Sequence, residues 1–138
     1  MKIIQVVGRS NSGKTTFIRN LVPVLKKTGK VAVIKHLGDH DYQLEAGKDT
    51  TLFFEAGAEI AVGIDSLKSV VAIRKNTLEG MLDLLLNQQI DYVVIEGFKQ
   101  KLFPKIVIGS LTIDNCVLEN PDLEEVVASL HLFADYPE

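Results

Sequence analysis

The sequence predicts an α/β fold, a mostly parallel sheet flanked by helices and carrying a β-hairpin insertion. Three observations point there. An apolar run, Ile3-Ile4-Gln5-Val6-Val7, passes through a Gly-bracketed loop into a segment of helical period at the start of the chain. Further short apolar runs at 31–34, 92–95 and 105–108 alternate with helix-like segments, as buried strands of a parallel sheet do. Between about residues 59 and 74 the pattern changes to strict alternation, the signature of a hairpin.

Size and composition bound the rest. The chain has 138 residues, 46% of them hydrophobic and 24% charged, with only 4 Pro, which suits one domain spanning 1–138 with a sizeable core and excludes a disordered or low-complexity chain. A net charge of -3 argues against a general nucleic-acid or membrane-surface binder, which would carry a basic excess or face. No apolar run approaches a bilayer span and no signal-peptide cleavage pattern is present, so the expected compartment is the cytoplasm. The single cysteine, Cys116, cannot form an internal disulfide and is expected as a buried apolar residue in a strand over 115–118. Three His in total do not make a zinc constellation.

In chain order, Phe17, Leu21, Val24 and Leu25 form one stripe of an amphipathic helix. Pro23 removes a donor and crowds the carbonyl of Arg19, which predicts a kink rather than a stop, and Gly29 ends the helix. Val31-Ala32-Val33-Ile34 reads as a strand buried on both faces, completing a strand–helix–strand crossover. The polar stretch Lys35-His36-Leu37-Gly38-Asp39-His40-Asp41 follows at the carboxyl edge, where ligands of open α/β sheets bind. Asp49 is placed to cap a short helix with Leu52, Phe53 and Ala56 on one face, closed by Gly57. Ile60, Val62 and Ile64, a turn at Asp65-Ser66, then Val71 and Ile73 predict a hairpin at the margin of the main sheet, with a pairing-prone apolar edge. Asn76 and Glu79 have capping-box spacing before a core-facing helix through Leu78, Met81, Leu82 and Leu85. The strand 90–95 delivers Glu96 at its carboxyl end. Strands at 105–108 and 116–118 follow, and then a helix started by Asn120 and Pro121, with Pro in the first position. His131 and the tail carry no evident signal.

The chemistry concentrates in Gly8-Arg9-Ser10-Asn11-Ser12-Gly13-Lys14-Thr15-Thr16, which fits G-x-x-x-x-G-K-[ST] between a predicted strand and a predicted helix, the context a P-loop requires. Gly8 and Gly13 free the loop to curl so that consecutive N–H groups face one anion. Lys14 reaches the β- and γ-phosphates, the Thr15 hydroxyl is placed to ligate Mg²⁺, and the helix adds the positive end of its dipole. Glu96 stands where P-loop proteins carry the acid that binds Mg²⁺ or orients an attacking water, and the sequence leaves those two roles open. Arg9 is placed to contact phosphate or to face solvent.

Three separated segments, Gly8 to Thr16, Lys35-His36 with Gly47-Lys48-Asp49-Thr50 and Glu55-Ala56-Gly57-Ala58, and Glu96-Gly97-Phe98-Lys99 followed by Pro104-Lys105-Ile106-Val107, together resemble the molybdopterin-guanine dinucleotide biosynthesis protein B family. The resemblance implies a dimeric P-loop protein that binds GTP with Mg²⁺ and hydrolyses it weakly. It also implies assistance to a MobA-like nucleotidyltransferase that joins GMP to molybdopterin, and a hairpin that helps form the homodimer. Carried over by position, Gly8, Arg9, Ser10, Asn11, Ser12, Gly13, Lys14, Thr15 and Thr16 take the phosphates. Lys14 and Glu96 act in hydrolysis, Thr15 and Glu96 hold the metal, and Lys35, His36, Lys48, Asp49 and Lys99 match further motif positions near the nucleotide. Two departures stand out: the family's Lys-His-x-His-His run is here Lys-His-Leu-Gly-Asp, and no Asn-Lys-x-Asp motif reads guanine. Guanine specificity therefore rests on the resemblance, and no residue excludes ATP. Two other functions use the same motif: a small-molecule kinase whose acceptor sits on the 35–49 segment, and a nucleotide-dependent scaffold.

Overall fold

A computed structural model describes residues 1–38 and 40–138. It divides into two compact units, the first made of Met1–Gly38 and Leu84–Glu138, the second of Asp39–Asp83.

In the first unit, β1 (Lys2–Val7) runs directly into the P-loop and is followed by α1 (Lys14–Leu25) and β2 (Val31–Lys35). After the second unit come β5 (Tyr92–Glu96), β6 (Lys105–Val107), β7 (Cys116–Glu119), α4 (Leu123–Ala128), a 3₁₀ turn (Leu130–Leu132) and β8 (Ala134–Asp135). The sheet order is β2-β5-β1-β6-β7 with these neighbours parallel, and β8 pairs antiparallel with β1. The first crossover therefore skips a position, because β5 inserts between β1 and β2. β1 is central, and Ile3, Ile4, Val6 and Val7 are fully buried, as both faces of an inner parallel strand must be. Ile4 and Val6 share one core with Ile18, Leu21 and Leu25 of α1, Val94, Ile106, and Val126 of α4. The stripe expected on α1 is realised through Leu21 and Leu25, with Ile18 added.

The helix continues through Pro23 for two residues and ends at Leu25. Its closing bond is donated by the Lys26 N–H to the Val22 carbonyl at 2.9 Å, so Gly29 lies beyond the end. Gly29 has another role: a Cβ there would sit 2.7 Å from Asp91 Cβ, so the chain passes too close to β5 for any side chain. β2 is an edge strand, and Val33 is correspondingly half exposed, where burial on both faces was expected. β7 forms the other edge, which is why Cys116 is exposed rather than buried. The tail, silent in the sequence, supplies β8: its pairs Lys2↔Asp135 and Ile3↔Ala134 occupy the flank of β1 that β6, starting at Gln5↔Lys105, leaves uncovered.

The second unit holds α2 (Asp49–Glu55) and a separate two-stranded sheet of β3 (Ile60–Ile64) and β4 (Ser69–Ile73), and α3 (Leu78–Asn87) begins in it. The hairpin expected at the margin of the main sheet is thus a sheet of its own. Asp65 closes its turn by accepting from the Leu67 and Lys68 N–H groups at 2.7 and 2.8 Å. The Lys68 ammonium, and then these backbone bonds, hold its carboxyl below the usual carboxylate range. Arg74 lies 4.1 Å from the centre of the Phe54 ring and donates to the carbonyls of Ala58 and Phe54, fastening β4 to the end of α2. Two caps fall one residue from their expected places. Lys48, in extended conformation, is the cap of α2 and Asp49 its first residue, where a carboxylate still complements the helix dipole. Thr77 rather than Asn76 caps α3, its hydroxyl accepting from the Gly80 N–H at 3.1 Å. The cap of α4 falls two residues late, at Asp122, which accepts from Glu125 N–H and leaves Pro121 just outside. The stripe of α3 holds, with Leu78 and Leu82 buried. That of α2 does not, since Thr51 is buried while Leu52 and Phe53 are exposed.

Candidate functional site

The carboxyl ends of β1, β2 and β5 open onto one cleft of about 820 Å³, lined by Gly8 and Ser10 to Thr16, Lys35 to Gly38, and Glu96 to Gln100. The first wall is the P-loop. Asn11 and Gly13 both take left-handed backbone conformations, with φ of 60° and 101°, and such alternation turns successive N–H groups inward. Gly13 caps α1 without any side-chain bond, and no acidic residue lies in the first turn. The opening N–H groups of the helix thus have no intrahelical acceptor and no capping oxygen, the arrangement an anion satisfies. Ser12 Oγ is also buried with no hydrogen-bond partner among the described residues.

Gly8 is required sterically rather than by its backbone angles. A Cβ there would lie 2.5 Å from the Ile108 carbonyl oxygen at the end of β6. The Lys14 ammonium donates to the carbonyls of Gly8 and Arg9 at 3.1 and 2.8 Å, which uses two of its three N–H groups and anchors the cation over its own loop. Arg9 turns away: its Nε donates to the Ser110 carbonyl at 3.0 Å, tying the P-loop to the loop after β6.

The second wall comes from β2 and β5. Lys35 and Glu96 are register partners, and Lys35 Nζ lies 3.7 Å from Glu96 Oε1. With Lys35 more than half exposed, such a pair contributes at most about 1 kcal/mol, so Glu96 is readily surrendered to a cation. The next residues form a tight corner in which Gly97 has φ of 95° and Phe98 of 53°. A Cβ on Gly97 would meet that of His36 at 2.9 Å, and the His36 ring stacks on Phe98. Lys99 and Gln100 complete this wall. Thr15 and Glu96 offer one hydroxyl and one carboxylate to the cleft. That donor set is too small for a protein-caged metal, and no group of three His, Cys, Asp or Glu is assembled among the described residues. It would suit Mg²⁺, a cation commonly held by one or two protein oxygens beside phosphate and water.

Of the sequence-predicted residues, Gly8, Ser10, Asn11, Ser12, Gly13, Lys14, Thr15, Thr16, Lys35, His36, Glu96 and Lys99 line this cleft. Lys48 and Asp49 belong to the second unit, where Lys48 pairs with Glu45 at 3.7 Å. Sequence reasoning missed Phe98, Gln100 and the buried Gln5 beneath them. A glutamine interrupting an otherwise apolar strand was the available signal for the last.

A family model described as molybdopterin guanine dinucleotide synthesis protein B, MobB, matches residues 3–130. The chain is 30% identical over 142 residues to the molybdopterin-guanine dinucleotide biosynthesis adapter protein of Haemophilus influenzae, covering 98% of this chain and 75% of that protein. A protein of Methanocaldococcus jannaschii, provisionally named as another such adapter, is 39% identical over 112 residues, 78% of this chain. The match spans only about half (47%) of that longer protein. The crystal structure of Bacillus subtilis MobB superposes with a TM-score of 0.76 at 26% identity, covering 97% of this chain and 99% of the other. The mostly parallel sheet flanked by helices and the antiparallel hairpin agree with that structure, and the chain belongs to the molybdopterin guanine dinucleotide synthesis protein B family.

Proposed function

We propose that this adapter-family protein binds GTP with Mg²⁺ in the P-loop cleft, hydrolyses it slowly, and acts as a homodimer beside a MobA-like guanylyltransferase in the cytoplasm. The observation that carries the reading is the convergence of uncapped helix N–H groups, Lys14, Thr15 and Glu96 on one cleft. The N–H groups of Gly13 to Thr16 would cradle the phosphates, and the remaining N–H of Lys14 would reach a terminal oxygen while its two carbonyl bonds hold it in place. Thr15 and Glu96 would hold Mg²⁺, which when bound offsets charge developing on the γ-phosphate. Lys35, His36 and Lys99 would face the terminal phosphate or the second reactant, and Lys48 and Asp49 are proposed from the family motif alone. Arg9, the arginine within the P-loop sequence, is engaged with Ser110, which agrees with slow hydrolysis.

Dimer formation is supported by the hairpin. Ile60, Val62, Ile64 and Val71 share one face of the hairpin by register and are 51%, 46%, 80% and 52% exposed, an apolar face of a kind that marks interaction surfaces. No helix among the described residues is long and apolar enough to cross a membrane.

Calorimetric titration of GTP, ATP and GDP, with and without Mg²⁺, tests the nucleotide assignment. GTP is expected to bind tightest and only with Mg²⁺, and tighter binding of ATP would overturn the guanine preference. Transfer of the γ-phosphate to an added small molecule rather than to water would favour a kinase instead.

A further inference from the structure

Two buried polar side chains lie under the second wall of the cleft. Gln5 occupies the middle of β1 between residues that are all fully buried, and it is itself 0% exposed. A primary amide in such a place is costly unless bonded. Its Nε2 donates to the carbonyls of Gly97 and Phe98, both at 2.7 Å, while Oε1 has no partner among the described residues. Lys105 of β6 is the register partner of Gln5, so the two side chains leave the sheet on the same face. Lys105 is 1% exposed, and its ammonium donates to the carbonyls of Lys101 and Phe103. Burial pushes its pKa down, opposed by the negative charge of Asp114.

Adjacent positions on adjacent strands thus bind four carbonyls, of residues 97, 98, 101 and 103, in one stretch that is neither strand nor helix. This stretch presents Phe98, Lys99 and Gln100 to the cleft. Removing either side chain's donors would leave two of these backbone acceptors without that partner, which costs stability and frees the stretch to move. We infer that Gln5 and Lys105 are positioning residues that hold segment 97–103 as a wall of the phosphate cleft, so that Phe98, Lys99 and Gln100 meet the bound nucleotide or its reaction partner in one fixed arrangement. The inference rests on the phosphate-site reading above and adds two residues to it that touch no ligand.

The test uses Gln5→Met and Lys105→Met, which keep length and remove the donors, together with Lys105→Arg, which restores them. Each is measured for thermal unfolding, for amide hydrogen exchange of residues 97–104, and for GTP affinity in Mg²⁺ by calorimetry. Folded Met variants, with unfolding temperatures lowered or unchanged, that show faster exchange confined to 97–104 and GTP affinity lowered about tenfold or more, as expected for losing charge-assisted or paired bonds, support the inference, as does recovery of slow exchange in Lys105→Arg. Should one Met variant fail to fold, the other decides by the same readouts. Loss of the fold in both, or unchanged exchange and affinity in a folded variant, overturns it in favour of a purely core role. Wild-type protein that binds no GTP defeats the phosphate-site reading separately, and the exchange measurement still decides whether these side chains hold the segment.

Discussion

His36 and Phe98 stack with ring centroids 4.1 Å apart and planes inclined by 19°, tying the residue after β2 to the corner after β5. The backbone supports the contact, because the His36 N–H donates to the Glu96 carbonyl at 2.9 Å and Gly97 has no room for a side chain against His36. The pair thus joins the two strands that bring Lys35 and Glu96 to the cleft. A stacked aromatic pair adds about 0.5–1.5 kcal/mol beyond its buried area. A double-mutant cycle of His36→Ala and Phe98→Ala, read by chemical denaturation, is expected to return a coupling energy in that range, with both single variants binding GTP more weakly.

Gly8 and Gly29 are both denied a side chain by their neighbours. Gly8→Ala drives a Cβ into the Ile108 carbonyl oxygen, and Gly29→Ala drives one into Asp91 and Tyr92. Each is expected to lose about 1–3 kcal/mol of stability, as overpacked sites do. Only Gly8→Ala should also reduce GTP affinity below its unfolding temperature, because it displaces the loop itself. Calorimetry on both variants checks the contrast.

The hairpin face of Ile60, Val62, Ile64 and Val71 supports the proposed self-association. Placing a charge in an apolar contact that is repeated on both partners removes about 1.5–3 kcal/mol per buried side chain, twice. Ile64→Asp is therefore expected to weaken the dimer by roughly a hundredfold or more and to yield monomer in sedimentation at micromolar concentration. A dimer unaffected by Ile64→Asp and Val62→Asp would place the interface elsewhere.

Lys105 carries a pH signature whose sign follows from its burial. Its folded pKa is lowered, so the folded state binds fewer protons than the unfolded one between that value and the ordinary lysine value. Stability gained from this residue therefore rises with pH through that interval, and its cost is fully present below it. Relative to Lys105→Met, the wild type is expected to gain stability as pH increases from neutral toward the ordinary lysine pKa. Urea unfolding of both proteins across that range measures the difference, in which the other titrating groups cancel.

The P-loop was legible because its requirements are local: two glycines, a lysine and a hydroxyl at fixed spacing between a strand and a helix. Glu96 was legible for a related reason, since a strand's last residue marks its carboxyl edge. Lys105 and Phe98 were not, because their roles depend on which strands are neighbours and on carbonyls several residues away. The caps at Lys48 and Thr77 fell one position from those expected and that at Asp122 two, because element boundaries follow backbone conformation rather than residue type alone. Burial at Cys116, Val33 and Leu52 was misjudged since apolar character does not tell an inner strand from an edge, or a packed helix face from one left outward.

The central claim is that the loop after β1 is a triphosphate site organised by Lys14. Calorimetric titration of GTP and Mg²⁺ into wild type and Lys14→Ala, both shown folded by circular dichroism, tests it most directly. The account predicts saturable binding to wild type, weakened about 10- to 100-fold or more in Lys14→Ala by loss of a charge-assisted contact. Equal affinity in the two proteins, or no binding by folded wild type, would contradict it.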